Sequence, residues 1–219
     1  MTTSTTLRID TWNDIVCPWC YVGEARLTSA VEALGPNVDV TVVPHAFELN
    51  PDHDHPERVL DMIARKFGRS EDEAREMDSQ ISALALAEGL PYTSERMTAN
   101  TFDAHRLVAA ARAVGGGATM LHALQRGHFS GELDLSNADA LVAAADQAGL
   151  GADRARAVLG SDEFADEVHA DQDTARRIGV TGVPFTVLGE ELAIPGCAGS
   201  EQYGEALRQA LDRGVAPSQ

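Results

Sequence analysis

One stretch, Asp14-Ile15-Val16-Cys17-Pro18-Trp19-Cys20, constrains the fold of this chain more than any other. Before it, Leu7, Ile9, Ile15 and Val16 predict a strand running into Cys17. After it, Tyr21, Val22, Ala25, Leu27, Ala30, Val31 and Leu34 recur at helical spacing. Pro18 falls at the start of that helix, where its missing N–H costs nothing and its fixed φ suits the turn. Cys17 therefore meets unpaired backbone N–H groups and the positive end of the helix dipole, which favour thiolate over thiol. Cys20 lies one helical turn deeper, within reach of a disulfide. A strand feeding C-x-x-C at a helix start is a redox pattern. The competing reading, half of a zinc site, lacks its other half, because no second C-x-x-C or C-x-x-H follows.

The rest of the chain falls into order around that stretch. Gly35-Pro36-Asn37 breaks the first helix, and Asp39 to Phe47 reads as a second, β-branched strand. Strand, helix, strand makes a βαβ unit with a parallel pair and a right-handed crossover. From Pro56 to about Gly160 the pattern predicts helices and no strand. Val59, Leu60, Met62, Ile63 and Phe67 share a face, and Ser70-Glu-Asp-Glu73 forms a capping box before Met77, Ile81 and Leu84. Helices through Leu107 to Val114, Met120 to Leu124 and Leu141 to Ala148 follow, the last capped by Ser136. Met62, Met77 and Met120 are expected in the core. A helix from Ser161 with Phe164, Val168, Ala175 and Ile178 inward leads to a hairpin, Val180–Leu188 and Leu192–Ile194, joined at Gly189-Glu190. Ser200 then caps a closing helix, and the tail from Gly214 is expected to fray. This is an α/β chain: a thioredoxin fold with an all-helical domain inserted in the βαβ–αββα crossover. The expected division is 1–50 with 161–219, and 51–160 as the insert.

Composition narrows the roles. Acidic residues outnumber basic ones 34 to 17, a net charge of −17. Such a field repels phosphate backbones and anionic lipid, so neither nucleic acid nor a membrane surface is an expected partner. No basic n-region and apolar core opens the chain, and no apolar run would span a bilayer. With three cysteines, two of them in the motif, the expectation is a cytoplasmic protein whose disulfide is transient or catalytic.

Several motifs in order carry a resemblance: Asp14-x-x-Cys17-Pro-Trp-Cys20-Tyr-x-Gly23, Phe47-Glu-Leu-Asn-Pro51, Asn100-Thr-x-x-Ala-His105-Arg106-Leu, Gly182-Val-Pro184-Phe and Ile194-Pro-Gly196. Together they resemble the FrnE-like branch of the DsbA family of thiol–disulfide oxidoreductases, over nearly the whole chain. Relatives of the same architecture include 2-hydroxychromene-2-carboxylate isomerases and kappa-class glutathione transferases, which carry serine in place of the first cysteine. The resemblance implies a cis peptide at Val183-Pro184 facing Cys17, leaving the Val183 backbone free to pair with substrate. It also implies that Pro18 and Trp19 border the substrate, and that glutathione or another thiol is a co-substrate rather than a bound cofactor.

This chain departs from the wider family at three positions. Thr11 stands where typical members keep an acid as a proton route to the second cysteine; Asp14 is closer to the motif but is expected to bond backbone at the strand-to-helix turn rather than serve that route. Trp19 replaces the histidine of typical DsbA, so a less extreme oxidant is expected. Cys197 takes a position usually filled by alanine, either as a third redox thiol near the groove or as an inert small residue. Other residues keep two readings. His105 either donates to Cys17 or substrate, or is a core histidine. Asn50 either contacts glutathione, as in the kappa-class relatives, or turns the chain before Pro51. His53 and His55 are two ligands at most, so no metal site is assigned. Because both crossings into the insert are short, the insert is expected to roof the groove, with Asn50, His105 and Cys197 lining it. The expected activity is disulfide exchange on small or extended substrates. The alternatives are a glutathione-dependent isomerase or transferase, and a redox-sensing, client-binding protein.

Overall fold

The computed structural model describes residues 5–189 and 191–214. The expected tail beyond Gly214 and the Glu190 half of the hairpin turn therefore lie outside the described residues. The first strand, β1 (Thr5–Asn13), lies between β2 (Val38–Ala46), which runs parallel to it, and β5 (Phe185–Leu188), which is antiparallel. A hairpin partner, β6 (Leu192–Pro195), completes the sheet order β2-β1-β5-β6. Side chains of a strand alternate between faces. Leu7 and Ile9 accordingly point into one core with Leu27 of α1 (Pro18–Glu32) and Tyr203 and Leu207 of α9 (Ser200–Gly214). Trp12, of the opposite parity, packs with Ala175 and Val180 around α8 (Ala165–Arg177).

Between β2 and α8 the chain forms α2 (Val59–Phe67), α3 (Glu71–Ala87), α4 (Phe102–Arg112), α5 (Gly117–Ser130), α6 (Ala138–Gln147) and α7 (Ala152–Leu159). The Ser70 and Glu73 capping box forms as expected, with both reciprocal bonds present. Helices α4 to α7 enclose a second core around Leu107, Met120, Leu121 and Leu124. Ile15 belongs to this core, not to the sheet. The expected strand through Val16 thus ends at Asn13, because Ile15 buries itself among the helices and draws Asp14 with it.

Other expectations need correction. Two short strands, β3 (Glu57–Arg58) and β4 (Met97–Thr98), pair within the stretch expected to hold none. Two residues per strand are too few for periodicity to reveal. Helix α7 was not anticipated, because only Ala155 and Val158 of it are buried. Helix α6 is capped by Asn137, which accepts from the Asp139 and Ala140 amides, and not by Ser136. Helix α8 begins at Ala165 instead of Ser161, after Phe164 in a left-handed conformation (φ 63°). The reason is tertiary: buried Arg106 takes the carbonyls of Val158, Ser161 and Glu163, holding that segment in an irregular turn. Ile178 is 48% exposed instead of inward. Of the three methionines only Met120 is fully buried; Met62 and Met77 are partly exposed.

Candidate active site

The turn from β1 into α1 sets Cys17 as the residue before the first helical turn, with extended backbone (φ −81°, ψ 113°) and Pro18 next. Its N–H bonds to the Asp14 carbonyl at 3.3 Å, and its carbonyl receives the Tyr21 N–H at 3.1 Å. The Val183–Pro184 bond is cis. It presents the Val183 carbonyl 3.7 Å from the Cys17 sulfur. Gly23 permits this approach: a Cβ there would come within 3.2 Å of Pro184 Cγ. Cys17 is 3% exposed and Cys20 0%. Trp19, between them in sequence, stands out at 43% exposed, an apolar surface within the motif.

Burial, and then the neighbouring Cys17, push the Cys20 thiol well above its ordinary range. Cys20 is therefore the proton-bearing member of the pair, and Cys17 sits at the helix start. Cys197 is half-buried, with its sulfur 3.7 Å from Arg26 Nη1. Burial raises its thiol, and the Arg26 charge only partly offsets this.

His105 is buried against the turn that carries the motif. It is 2% exposed, with Nε2 3.3 Å from Asp14 Oδ1. Asp14 does bond backbone at the turn: its Oδ2 accepts the Leu49 N–H at 2.8 Å. It also faces His105, so each of these residues answers to the other. Asn50 is exposed, and its carbonyl accepts the His53 N–H at 3.2 Å, as a turn residue does. His53 turns to Glu57 at 3.2 Å and His55 to Asp54 at 2.5 Å. Among the described residues no group of three or more His, Cys, Asp or Glu side chains is placed to hold a metal.

Two buried residues near the motif escaped the sequence reading. Gln125 Nε2 reaches the Asp14 carbonyl at 3.4 Å, and His128 is 1% exposed on the same helix. Burial holds His128 near 3, so its ring is neutral at ordinary pH. The signal was faint: both sit at helical spacing from Leu121 and Leu124, on a face that sequence alone assigns to apolar packing. Tyr21, next after Cys20, stacks on Phe129 at 4.6 Å, and Phe129 stacks on Tyr92 at 5.3 Å. Arg96 lies over the Tyr92 ring at 4.4 Å and pairs with buried Asp78 at 2.9 Å. The helices thus clasp the flank of α1 directly behind the C-x-x-C.

Residues 8–208 match the model of the DSBA-like thioredoxin domain. The chain belongs to the DSBA-like thioredoxin family. It is similar to a probable DsbA oxidoreductase from Streptomyces coelicolor, at 39% identity, 97% coverage of this chain and 93% of that one, with a TM-score of 0.90. The uncharacterized Bacillus subtilis protein YwbO is 25% identical over 92% of this chain and 96% of its own. The cytosolic disulfide reductase DsbM of Pseudomonas aeruginosa shares the fold at 17% identity, covering 94% of this chain and 96% of its own, with a TM-score of 0.62. Membership, with Cys17 and Cys20 near each other at the start of α1, makes this a DsbA-like thiol oxidoreductase fold.

Proposed function

We propose that this member of the family is a thiol–disulfide oxidoreductase of the FrnE-like kind. The Cys17 thiolate attacks a substrate disulfide, forming a mixed disulfide and releasing one thiolate. Cys20 then attacks the Cys17 sulfur, closing the Cys17–Cys20 disulfide and releasing the second. The substrate gains two electrons and the dithiol loses them; glutathione or another thiol, as co-substrate, returns them. Run backward, the same steps oxidise a dithiol. The observation that carries this reading is the Cys17 sulfur at a helix N-terminus, 3.7 Å from the Val183 carbonyl beside the cis proline. A peptide or glutathione strand laid along Val183 would bring its sulfur to Cys17. Exposed Trp19 and half-buried Pro18 would border it.

Small or extended disulfides are the proposed substrates, in the cytoplasm, with no nucleic-acid or membrane partner. No helix among the described residues is long and apolar enough to cross a membrane. An isomerase or transferase would have no use for Cys20. The test is turnover of a mixed peptide–glutathione disulfide, together with alkylation at mildly acidic pH. Cys17→Ser should abolish turnover, Cys20→Ser should accumulate the mixed disulfide, and Cys17 should alkylate before Cys20. Full turnover by Cys20→Ser would overturn the resolving role of Cys20, the thiol co-substrate then attacking the Cys17 mixed disulfide itself. A single stoichiometric exchange with no turnover would make the pair a redox-sensing switch.

A further inference from the structure

The direction in which a dithiol passes electrons depends on how far its surroundings stabilise the reduced pair over the disulfide. Strong oxidants hold the attacking sulfur as an anion with nearby positive donors, and lose that stabilisation when the disulfide closes. Cys17 is placed otherwise. It precedes the first turn of α1, yet its side chain makes no bond to a helix amide. Its sulfur lies 3.7 Å from the Val183 carbonyl, an oxygen that accepts the S–H and offers nothing to an anion. Cys20, fully buried, keeps its own proton.

The side chains that could supply a positive donor are engaged elsewhere. Arg26 gives its Nε to Glu88 at 2.6 Å and its Nη1 to Cys197 at 3.7 Å. His105 faces Asp14 at 3.3 Å, His122 turns to Glu24 at 3.4 Å, and buried His128 is neutral. Trp19, between the cysteines, is a neutral ring. Among the described residues, no Arg, Lys or His side chain bonds the sulfur of Cys17 or Cys20. The chain's net charge of −17 adds no attraction for a further anion.

We infer that the Cys17–Cys20 pair is built to give electrons: this chain reduces disulfides and does not oxidise dithiols. The inference rests on the oxidoreductase reading and gives it a direction. Closing the Cys17–Cys20 bond forfeits one S–H contact and no ion pair, so the oxidised form carries little penalty. In the cycle, the substrate S–S bond breaks, and its two sulfurs leave as thiols with the two electrons and the two protons of the dithiol. The Cys17–Cys20 S–S bond forms in exchange. Two molecules of a monothiol such as glutathione then restore the pair. The first opens that bond as a mixed disulfide, and the second takes the first one's sulfur. Their protons return to Cys17 and Cys20, and the monothiol leaves as its own disulfide.

The test equilibrates the chain with mixtures of reduced and oxidised glutathione, quenches with acid, alkylates, and reads the oxidised fraction by mass spectrometry. Thioredoxin and the strong oxidant DsbA, run alongside, differ by about 10⁵-fold in the glutathione ratio that half-oxidises them. This chain should lie less than about 300-fold to the oxidising side of thioredoxin, the nearer half of that interval. A ratio more than about 300-fold to the oxidising side would overturn the proposal. Trp19→His places an ionisable donor within the motif and should move the ratio about tenfold or more towards the oxidant. A folded variant with the wild-type ratio would mean that missing donors do not set the direction, and counts against the proposal. If the variant does not fold, the wild-type ratio decides. A chain that forms no Cys17–Cys20 disulfide at any glutathione ratio would instead overturn the oxidoreductase reading.

Discussion

Two aspartate–histidine pairs stand four residues apart along the chain leaving β1, and they are built differently. His45 is gripped at both nitrogens, by Asp10 at 2.7 Å and by Asp171 of α8 at 2.6 Å. Arg8 pairs with Asp10 at 2.6 Å, Arg112 of α4 with Asp171 at 2.7 Å, and the Ala46 amide also bonds Asp171. Trp12 stacks on the His45 ring at 4.6 Å and donates its indole N–H to the Asp171 carbonyl. The second pair, Asp14 and His105, meets at 3.3 Å, and Asp14 takes one backbone amide besides. Each charge in the first cluster has an opposite, so the cluster can only hold β2, α4 and α8 together. The second holds its carboxylate, on the turn that leads into Cys17, with one histidine and one amide and, among the described residues, no opposing Arg or Lys contact of its own. Saturation with charge makes the first a staple.

Breaking the staple should produce the largest effect. Asp171→Ala leaves Arg112 without its buried counter-charge and His45 with Asp10 alone, and should lower the unfolding free energy by about 3–5 kcal/mol. Urea unfolding measures it, and the rate of Cys17 attack at 25 °C should be unchanged. A lost attack rate with stability intact would reverse the assignment of staple and site.

The pH dependence sharpens the contrast. Burial favours neutral His45, but its bonds to Asp10 and Asp171 outweigh this and raise it above its usual 6.5. That contribution is complete below 6.5 and is lost as pH rises through the raised value. Burial opposes Asp10 ionisation, yet its bonds to His45 and Arg8 hold it at about 2, below its usual 3.8. Its contribution is present above 3.8 and fades as pH falls towards 2. Stability should therefore decline between pH 5.5 and 8.5, by less than the Asp171→Ala effect, and His45→Gln should remove the decline. Denaturant midpoints at the two pH values give the answer; an equal decline in the variant would place its source elsewhere.

Gln172→Ala should show the smallest effect. It removes only a single side-chain bond, donated from α8 to the Glu48 carboxylate (2.9 Å). A loss of about 1 kcal/mol or less is expected by thermal unfolding. A larger loss would mean that α8 is held to β2 by more than the charged cluster.

Much of the fold was legible because its rules are local. The Ser70 capping box, the glycine after α2 and the proline after Cys17 act within a few residues, and each does what its spacing predicts. Where a boundary answered to a distant partner, local reading missed it. Helix α8 starts late because Arg106 binds the preceding carbonyls. The candidate site divides the same way. Cys17 and Cys20 were evident from their place at a helix start, while Asn50 turned out exposed and His105 buried against Asp14.

The sequence by itself determined the C-x-x-C at a helix start, the order of the four-stranded sheet's elements and the family, because each follows from short-range spacing or from motifs in order. Only the tertiary structure decided what His105 meets. A histidine among Ala104, Leu107 and Val108 reads as core from its own helix. Its partner, Asp14, lies 91 positions away and arrives only because Ile15 leaves the sheet to bury itself among the helices. Sequence separation hides such a contact, since burial of one apolar neighbour carries a charged side chain to a site that its own residue type would not choose.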